Sequence, residues 1–179
     1  MKIAVISDSH DNMPNLRKAL RWIEKEKIKT ILHCGDICNS DTLWEMTALF
    51  SGKIYIAFGN ADDRLGITEL VKVKKFSNVF LCGEVPQRAG SRHSGIGEVV
   101  VGGKKIGFCH FPEIAREMAE SGKYNIVFHG HTHKPWESKV SHCRLVNPGN
   151  LAGLFYKASF AVYDVETEKL ELKILEILD

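Results

Sequence analysis

The sequence lacks three features that would place it in a specialised class of protein. No apolar stretch in its 179 residues reaches the roughly 18 needed to cross a bilayer. Met1-Lys2 runs directly into a strand-like segment, which predicts the absence of a signal peptide. A large excess of charge of one sign is also missing, since 24 Lys and Arg oppose 22 Asp and Glu. The resulting net charge of +2 gives no broad electrostatic field to attract nucleic acid. We therefore predict a cytoplasmic protein with no membrane partner and no strong nucleic-acid signal.

Cysteine is too sparse and too irregular for a disulfide framework. The five cysteines are odd in number, form no Cys-x-x-Cys pair and mostly lie in or beside apolar runs: Cys34, Cys38, Cys82, Cys109 and Cys143. We interpret them as buried reduced thiols, because free Cys behaves as a small hydrophobe. Repeats, linkers and low-complexity segments are absent, and 44% hydrophobic content suffices for one core. The sequence predicts one domain over residues 1–179.

The first half of the chain alternates strand and helix patterns. Apolar runs predict strands at Ile3 to Ile6, Thr30 to Cys34 and Lys53 to Phe58. Two apolar helix stripes lie between them, formed by Leu16, Ala19, Leu20 and Ile23, and by Leu43, Met46, Leu49 and Phe50. The second of these helices has Ser40 or Asp41 as its predicted N-cap. Such β-α-β-α-β alternation requires parallel strands with right-handed crossovers.

The second half has a different pattern. Val79 to Cys82 predicts a short strand, Glu84 to Gly97 a loop, and the segments around Gly102-Gly103 a hairpin. A short helix over Pro112 to Ser121 and a strand over Asn125 to Phe128 follow. The remaining strands are predicted at Trp136 to Val140, Arg144 to Val146, Ser159 to Val165 and Leu170 to Ile177. We expect this tail to be antiparallel, with one face in water.

Seven potential metal ligands follow the predicted strands. They are Asp8, His10, Asp36, Asn60, His110, His131 and His133. Because ligands bind outside the carboxyl ends of strands in open α/β sheets, these side chains can meet at one sheet edge. Each one alone has an ordinary explanation as a turn residue or an incidental histidine. Their shared position after strands favours a common site.

The ligand types indicate which ions and which substrates fit such a site. Aspartates, imidazoles and an amide suit Mn, Fe, Co, Ni or Zn better than an all-oxygen Mg or Ca site. Seven ligands exceed the need of one ion, whereas two ions about 3.5 to 4 Å apart, bridged by a carboxylate and a hydroxide, accommodate them. Two divalent ions outweigh Asp8, Asp36 and the hydroxide, so the site stays positive. That charge favours an anionic phosphate ester.

These motifs resemble a known family. Asp8-x-His10, Gly35-Asp36, Gly59-Asn60-x-Asp62, His110 and Gly130-His131-x-His133 occur in the order and strand context of the calcineurin-like metallophosphoesterases. The resemblance covers Lys2 to about Asn150 and is nearest to the small prokaryotic phosphodiesterase branch, with Asn147-Pro148-Gly149-Asn150 similar to its Asn-Pro-Gly-Ser turn. It implies a four-layer α/β/β/α sandwich of two mixed sheets flanked by helices.

The resemblance also implies roles for the ligands. Asp8, His10, Asp36 and His133 would hold one metal, and Asp36, Asn60, His110 and His131 the second, with Asp36 as the bridge. The implied activity is hydrolysis of small phosphate diesters by in-line attack of a bridging hydroxide, with Asp36, Asn60 and His110 at the catalytic centre. Manganese is the favoured cofactor of the two-ion site, and Ni, Fe, Co or Zn are alternatives.

Several alternatives and departures accompany this prediction. Phe111 stands where the family often has Gly, and the Glu84 to Gly97 loop matches no family pattern. The alternative activity is that of a phosphomonoesterase, although Ala61 replaces the His that follows the metal-binding Asn in those branches. A scaffold protein on the same fold is the alternative from outside the enzymes. The sequence is compatible with a homo-oligomer.

Overall fold

A computed structural model describes residues 1–83 and 95–178 of the chain. The strands are β1 (Lys2–Ile6), β2 (Thr30–His33), β3 (Lys53–Ala57), β4 (Val79–Cys82), β5 (Gly97–Val101), β6 (Lys104–Phe108), β7 (Ile126–Phe128), β8 (Trp136–Val140), β9 (Cys143–Asn147), β10 (Ser159–Asp164) and β11 (Leu170–Ile174). The α-helices are α1 (Met13–Lys25), α2 (Ser40–Leu49), α3 (Arg64–Lys74) and α4 (Pro112–Glu120), and a short 3-10 helix spans Leu175–Ile177. Most of the predicted Glu84 to Gly97 loop, residues 84–94, lies outside the described residues.

The strands form two mixed sheets. The first has the order β11-β10-β1-β2-β3-β4, in which β1 to β4 are parallel and β10 runs antiparallel to β1. The second has the order β5-β6-β7-β9-β8, with β6, β7 and β9 parallel and an antiparallel strand at each edge. In both sheets the parallel strands share one carboxyl edge, which positions the segments that follow them.

Three apolar clusters lie between four layers. The first joins α1, α2 and α3 to the outer face of the first sheet, with Leu20 and Met46 packed among the strand residues. The second lies between the sheets, where Phe108 and Phe128 meet residues such as Val5. The third packs α4 on the outer face of the second sheet. This arrangement is the predicted α/β/β/α sandwich, and each fully buried large side chain contributes about 1.5 to 3 kcal/mol to it.

The predicted N-terminal helices are present, with one shifted boundary. The stripe of α1 is fully buried, as predicted, and its N-terminus is capped by the side chain of Asn12, which accepts from Asn15 N–H. Helix α2 is capped by Asn39 rather than by Ser40 or Asp41, because the Asn39 side chain accepts from two backbone N–H groups of the first turn. None of the helices among residues 1–83 and 95–178 is long and apolar enough to cross a membrane.

The prediction of a purely antiparallel tail was wrong. Strand β9 pairs in parallel with β7, and β10 leaves the second sheet to lie beside β1 in the first. Nor does β10 have a wet face, because Phe160 and Val162 pack under the helices while Ala161 and Tyr163 pack between the sheets. The β8–β9 and β10–β11 pairs are antiparallel, as expected.

Candidate metal centre

All seven predicted ligands lie just after the carboxyl ends of parallel strands. Asp8 and His10 follow β1, Asp36 follows β2, Asn60 follows β3, His110 follows β6, and His131 and His133 follow β7. Strands β1, β2 and β3 belong to the first sheet and β6 and β7 to the second, so the sandwich brings the carboxyl edges of both sheets together. The seven side chains meet at that junction.

The backbone turns sharply at most of these residues. Asp8, His10, Asp36, His131 and His133 have positive φ angles between 42° and 69°. Few residues other than glycine adopt this left-handed conformation, and holding one there costs of order 1 to 3 kcal/mol. Five of the seven predicted ligands therefore occupy strained positions that the surrounding loops hold in place.

One group of donor atoms surrounds the Asp8 carboxylate. His133 Nε2 lies 3.3 Å and His10 Nε2 lies 3.8 Å from Asp8 Oδ1, and the two Nε2 atoms are 3.2 Å apart. Asp8 is fully buried, whereas His10 and His133 are partly exposed. The three side chains thus converge on one point at the edge of the solvent.

A second group lies beside the first. His110 Nε2 and His131 Nδ1 are each 3.0 Å from Asn60 Oδ1 and 3.2 Å from each other. His110 is buried, and its Nδ1–H donates to the carbonyl of Cys34 at 2.9 Å. That hydrogen bond fixes the tautomer in which the Nε2 lone pair faces the cluster.

The Asp36 carboxylate lies between the two groups. Its Oδ2 is 3.7 Å from His10 Nε2 and 3.4 Å from His110 Nε2. Its Oδ1 accepts a hydrogen bond from Ala61 N–H at 2.8 Å, which leaves Oδ2 directed at the histidines. Asp8, Asp36 and His110 also form a compact set of possible ligands.

The electrostatics of the Asp8–His133 pair reflect this crowding. Burial raises the pKa of Asp8, but the hydrogen bond and the charge of His133 act against burial, and the pKa lies below its usual value. The same hydrogen bond raises the pKa of His133. The contact therefore favours the charged form of each group, and a divalent ion that binds there would compete with a proton for His133.

Asp62 holds the loops that carry Asp36 and Asn60. Its carboxylate accepts from the backbone N–H groups of Gly59 at 2.6 Å, Cys38 at 2.8 Å and Asp36 at 3.1 Å. From the sequence, Asp62 could either fix the loop or pair with Arg64. The first role is the one the structure shows, whereas Arg64 donates to the carbonyl of Gly59 instead.

Two glycines permit the loops to approach one another. A Cβ atom on Gly59 would clash with the carboxylate of Asp36, and one on Gly130 would clash with Ser7 Oγ and with Asp8 Oδ2. Close packing of backbone against ligand side chains therefore requires glycine at both positions.

His33 supports the site without entering it. It is fully buried beneath the cluster, where its Nε2 lies 3.2 Å from Ser9 Oγ and its Nδ1 accepts from Gly35 N–H. Burial lowers the pKa of His33 to about 3, so the ring is neutral. Of its two possible roles, orienting the loop before Asp36 or filling the strand, these hydrogen bonds favour the first.

His129, His142 and most of the cysteines stay outside the donor groups, whereas Cys38 Sγ lies 3.6 Å from His10 Nδ1. His129 is buried and its Nδ1 bonds to the Gly130 carbonyl at 3.1 Å, whereas His142 is exposed in a turn. All five cysteines are free. Cys34, Cys109 and Cys143 are buried, as predicted for all of them, while Cys38 and Cys82 are partly exposed. His93 lies outside the described residues.

Known proteins resemble this chain over nearly its whole length. Residues 1–168 match the calcineurin-like phosphoesterase superfamily domain. A phosphodiesterase of Methanocaldococcus jannaschii is 28% identical over 181 residues, which cover 98% of this chain and 100% of the relative. The solved structure of a novel archaeal phosphodiesterase has a TM-score of 0.81 at 24% identity, covering 97% of this chain and 99% of that one.

Another solved structure shares the fold. Wild-type Vps29 of Entamoeba histolytica, complexed with Zn²⁺, has a TM-score of 0.62 at 17% identity and covers 98% of this chain and 99% of that one. At this identity the likeness extends to the fold alone. The superfamily match, by contrast, runs from residue 1 to residue 168 and includes the segments that follow β1, β2, β3, β6 and β7. The chain therefore belongs to the calcineurin-like phosphoesterase superfamily.

Proposed function

We propose that this chain is a phosphodiesterase that hydrolyses small phosphate diesters at a centre of two divalent transition-metal ions. The observation that carries the proposal is the Asp36 carboxylate, whose Oδ2 faces both His10 and His110. A carboxylate oxygen in that position suits a bridge between two ions.

The two donor groups support the ligand assignment that the family resemblance implies. Asp8, His10, Asp36 and His133 would hold one ion, and Asp36, Asn60, His110 and His131 the other. The seven side chains fit such a pair, because they supply oxygen and imidazole nitrogen together, the mixture that borderline divalent ions prefer. Manganese is the first ion to test, followed by Ni, Fe, Co and Zn.

The residues of the chain prepare the site for an anionic substrate. When bound, two such ions supply positive charge to the phosphoryl oxygens and lower the pKa of a water molecule. Asp8 accepts from the backbone N–H of His131 at 3.1 Å, which fixes the carboxylate relative to the second donor group. Asp62 does the same for the backbone at Asp36 and Gly59. These hydrogen bonds preorganise the ligands, so less energy is spent on ordering them during the reaction.

The residue after Asn60 favours diesters with acidic leaving groups. Ala61 is exposed and has no side-chain proton to donate, and its N–H is already bonded to Asp36 Oδ1. A general acid typically contributes 10² to 10⁴ in rate, mostly for basic leaving groups. Without one at this position, alkyl monoesters should react poorly.

One activity panel tests the proposal. Metal-stripped protein is reconstituted separately with Mn, Ni, Co, Zn, Fe and Mg, then assayed on bis(4-nitrophenyl) phosphate and on 4-nitrophenyl phosphate, with metal analysis of each sample. We expect about two ions per chain at full occupancy and faster turnover of the diester. Faster turnover of the monoester would instead identify a phosphomonoesterase.

A pair of matched variants separates the bridge from a general loss of charge. Asp36→Asn weakens binding at both sites at once, so it should lose metal and activity together. Asp41→Asn makes the same chemical change at an exposed position in the first turn of α2, and it should lose neither. Full activity and full metal content in Asp36→Asn would contradict the ligand assignment. A wild-type metal content near zero would favour the scaffold alternative.

A further inference from the structure

We infer that Phe111 and Phe155 determine substrate specificity by stacking on planar aromatic ester groups, either aryl groups or nucleobases. This inference rests on the proposed function and names the substrate class of the same site. It comes from two phenyl rings that contact different halves of the donor cluster.

Phe111 lies against the half that contains His110 and His131. Its ring centroid is 5.0 Å from the centroid of each imidazole, and the interplanar angles are 76° and 63°. The backbone of Phe111 is fixed because its carbonyl accepts from Ala115 N–H in the first turn of α4. The half-buried ring forms a wall beside the second donor group.

Phe155 lies against the other half. Its centroid is 5.9 Å from that of His133, at an interplanar angle of 40°, and the side chain is 90% exposed. Its φ of 63° lies in the left-handed region, where a bulky residue is an outlier. A phenylalanine kept in strain and in water gives little to the core, and strain of this kind clusters at ligand sites.

The segment that carries Phe155 is anchored to the site. The fully buried Asn150 side chain accepts from Leu154 N–H at 2.9 Å and donates to the carbonyls of His133 at 3.1 Å and Leu154 at 3.3 Å. One amide thus ties the ligand His133 to the residue before Phe155. The similar family turn, Asn-Pro-Gly-Ser, has serine at the position of Asn150. A serine hydroxyl cannot make all three bonds, because it has only one proton to donate.

The position of the rings points to the kind of group they contact. A phosphorus bound over the cluster carries two ester groups in a diester, and the cluster is flanked by one ring on each half. Stacked or edge-to-face aromatic pairs form at centroid distances of about 4.5 to 7 Å. An aromatic ester group directed to either side of the cluster could therefore stack on a phenyl ring, whereas a short alkyl group would gain no such contact.

The test compares two diesters with the same leaving group. The reconstituted protein is assayed on phenyl 4-nitrophenyl phosphate and ethyl 4-nitrophenyl phosphate. The ratio of the two kcat/KM values is divided by the ratio of the two alkaline hydrolysis rates, which gives a corrected ratio free of the intrinsic reactivity of the esters. Calorimetric titration with phenylphosphonate and ethylphosphonate gives the same comparison without turnover. Phe111→Leu and Phe155→Leu keep an apolar side chain but remove the planar face.

We expect the wild type to favour the phenyl compounds by about 2- to 10-fold, and the double variant to lose this preference in both measurements. Tyr156→Leu is the matched control, since Tyr156 is a neighbouring exposed aromatic residue, and it should keep the preference. If both proteins hydrolyse the diesters and the corrected ratio is the same in the wild type and the double variant, the inference is overturned and the proposed phosphodiesterase activity stands. An equal loss of preference in Tyr156→Leu would also overturn it. Failure of the wild type to hydrolyse either diester would overturn both proposals.

Discussion

The carboxylate of Asp62 should contribute strongly to stability and to metal affinity, although Asp62 is not one of the predicted ligands. Asp62→Asn replaces one of its two acceptor oxygens by an NH₂ group. An Asn oxygen can still accept from Gly59 and Asp36, as Asp62 Oδ2 does, but the NH₂ group then faces Cys38 N–H, which lies 2.8 Å from Oδ1. Two donors then face each other at that position. The hydrogen bonds from Gly59 and Asp36 become weaker, because their acceptor is no longer charged.

The expected cost follows from these three bonds. Hydrogen bonds to charged groups contribute about 1.5 to 3 kcal/mol each, and neutral ones about 1 kcal/mol. Losing one and weakening two, at a half-buried site, should lower the free energy of unfolding by about 2 to 4 kcal/mol. For a chain of this size that is a fall in melting temperature of about 4 to 16 °C. Since Asp62 supports the ligand loops, metal affinity should fall by about 10- to 100-fold.

The neighbouring residue gives a matched control. Asp63 is exposed and caps α3 by accepting from Gly66 N–H, a role that Asn performs equally well. Asp63→Asn removes the same charge and should change the melting temperature by less than about 2 °C. Thermal unfolding and metal titration of both variants are the assays. Equal melting temperatures and equal metal affinities in the two variants would refute the role given to Asp62.

Three further predictions concern metal removal, pH and the leaving group. Chelation should lower the melting temperature, because each ion present at 100 times its dissociation constant stabilises the folded state by about 2.7 kcal/mol; an unchanged melting curve after verified metal removal would mean that the ligands bind no ion. Because the folded state excludes a proton from His33, whose pKa falls from 6.5 to about 3, stability is lost as the pH falls below 6.5. Denaturant unfolding at pH 7 and pH 5 should show that the wild type loses about 2 kcal/mol more of its free energy of unfolding than His33→Asn does. Equal losses in the two proteins would contradict the neutral buried ring. Ala61→His should raise turnover of alkyl esters, by up to about 10²-fold, more than that of nitrophenyl esters; equal leaving-group dependence in variant and wild type, at equal metal content, would show that another residue supplies the proton.

The sequence predicts the convergence of the ligands because convergence depends on local features. Apolar runs of three to five residues identify the strands, and the polar residues directly after them must lie at the carboxyl edge. Asp8, Asp36, Asn60, His110 and His131 can therefore be placed at carboxyl edges without knowing which strands are neighbours. The single sheet edge expected from the sequence was wrong, because the first three residues follow strands of one sheet and the last two follow strands of the other.

Features that depend on long-range packing were beyond such reasoning. Helix α3 was missed because Ile67 is its only fully buried residue, so its apolar stripe is weak. Strand β10 was predicted to have a wet face, because the alternation of a strand does not reveal whether layers cover one side or both. The three N–H groups that bind Asp62 come from two loops separated by more than 20 residues, and no local pattern relates them.

The residue types of the ligands and the shape of their backbone are connected. Asp8 and His10 both lie in the turn after β1, where Asp8 Oδ1 and His10 Nε2 are 3.8 Å apart. Both residues have left-handed backbone. Apart from glycine, the residues most enriched in this conformation are Asn, Asp and His, and the five positive-φ positions of the cluster are all Asp or His. Because the residues that donate to divalent ions also tolerate the turn, alanine at one of these positions would remove a donor and strain the loop at once.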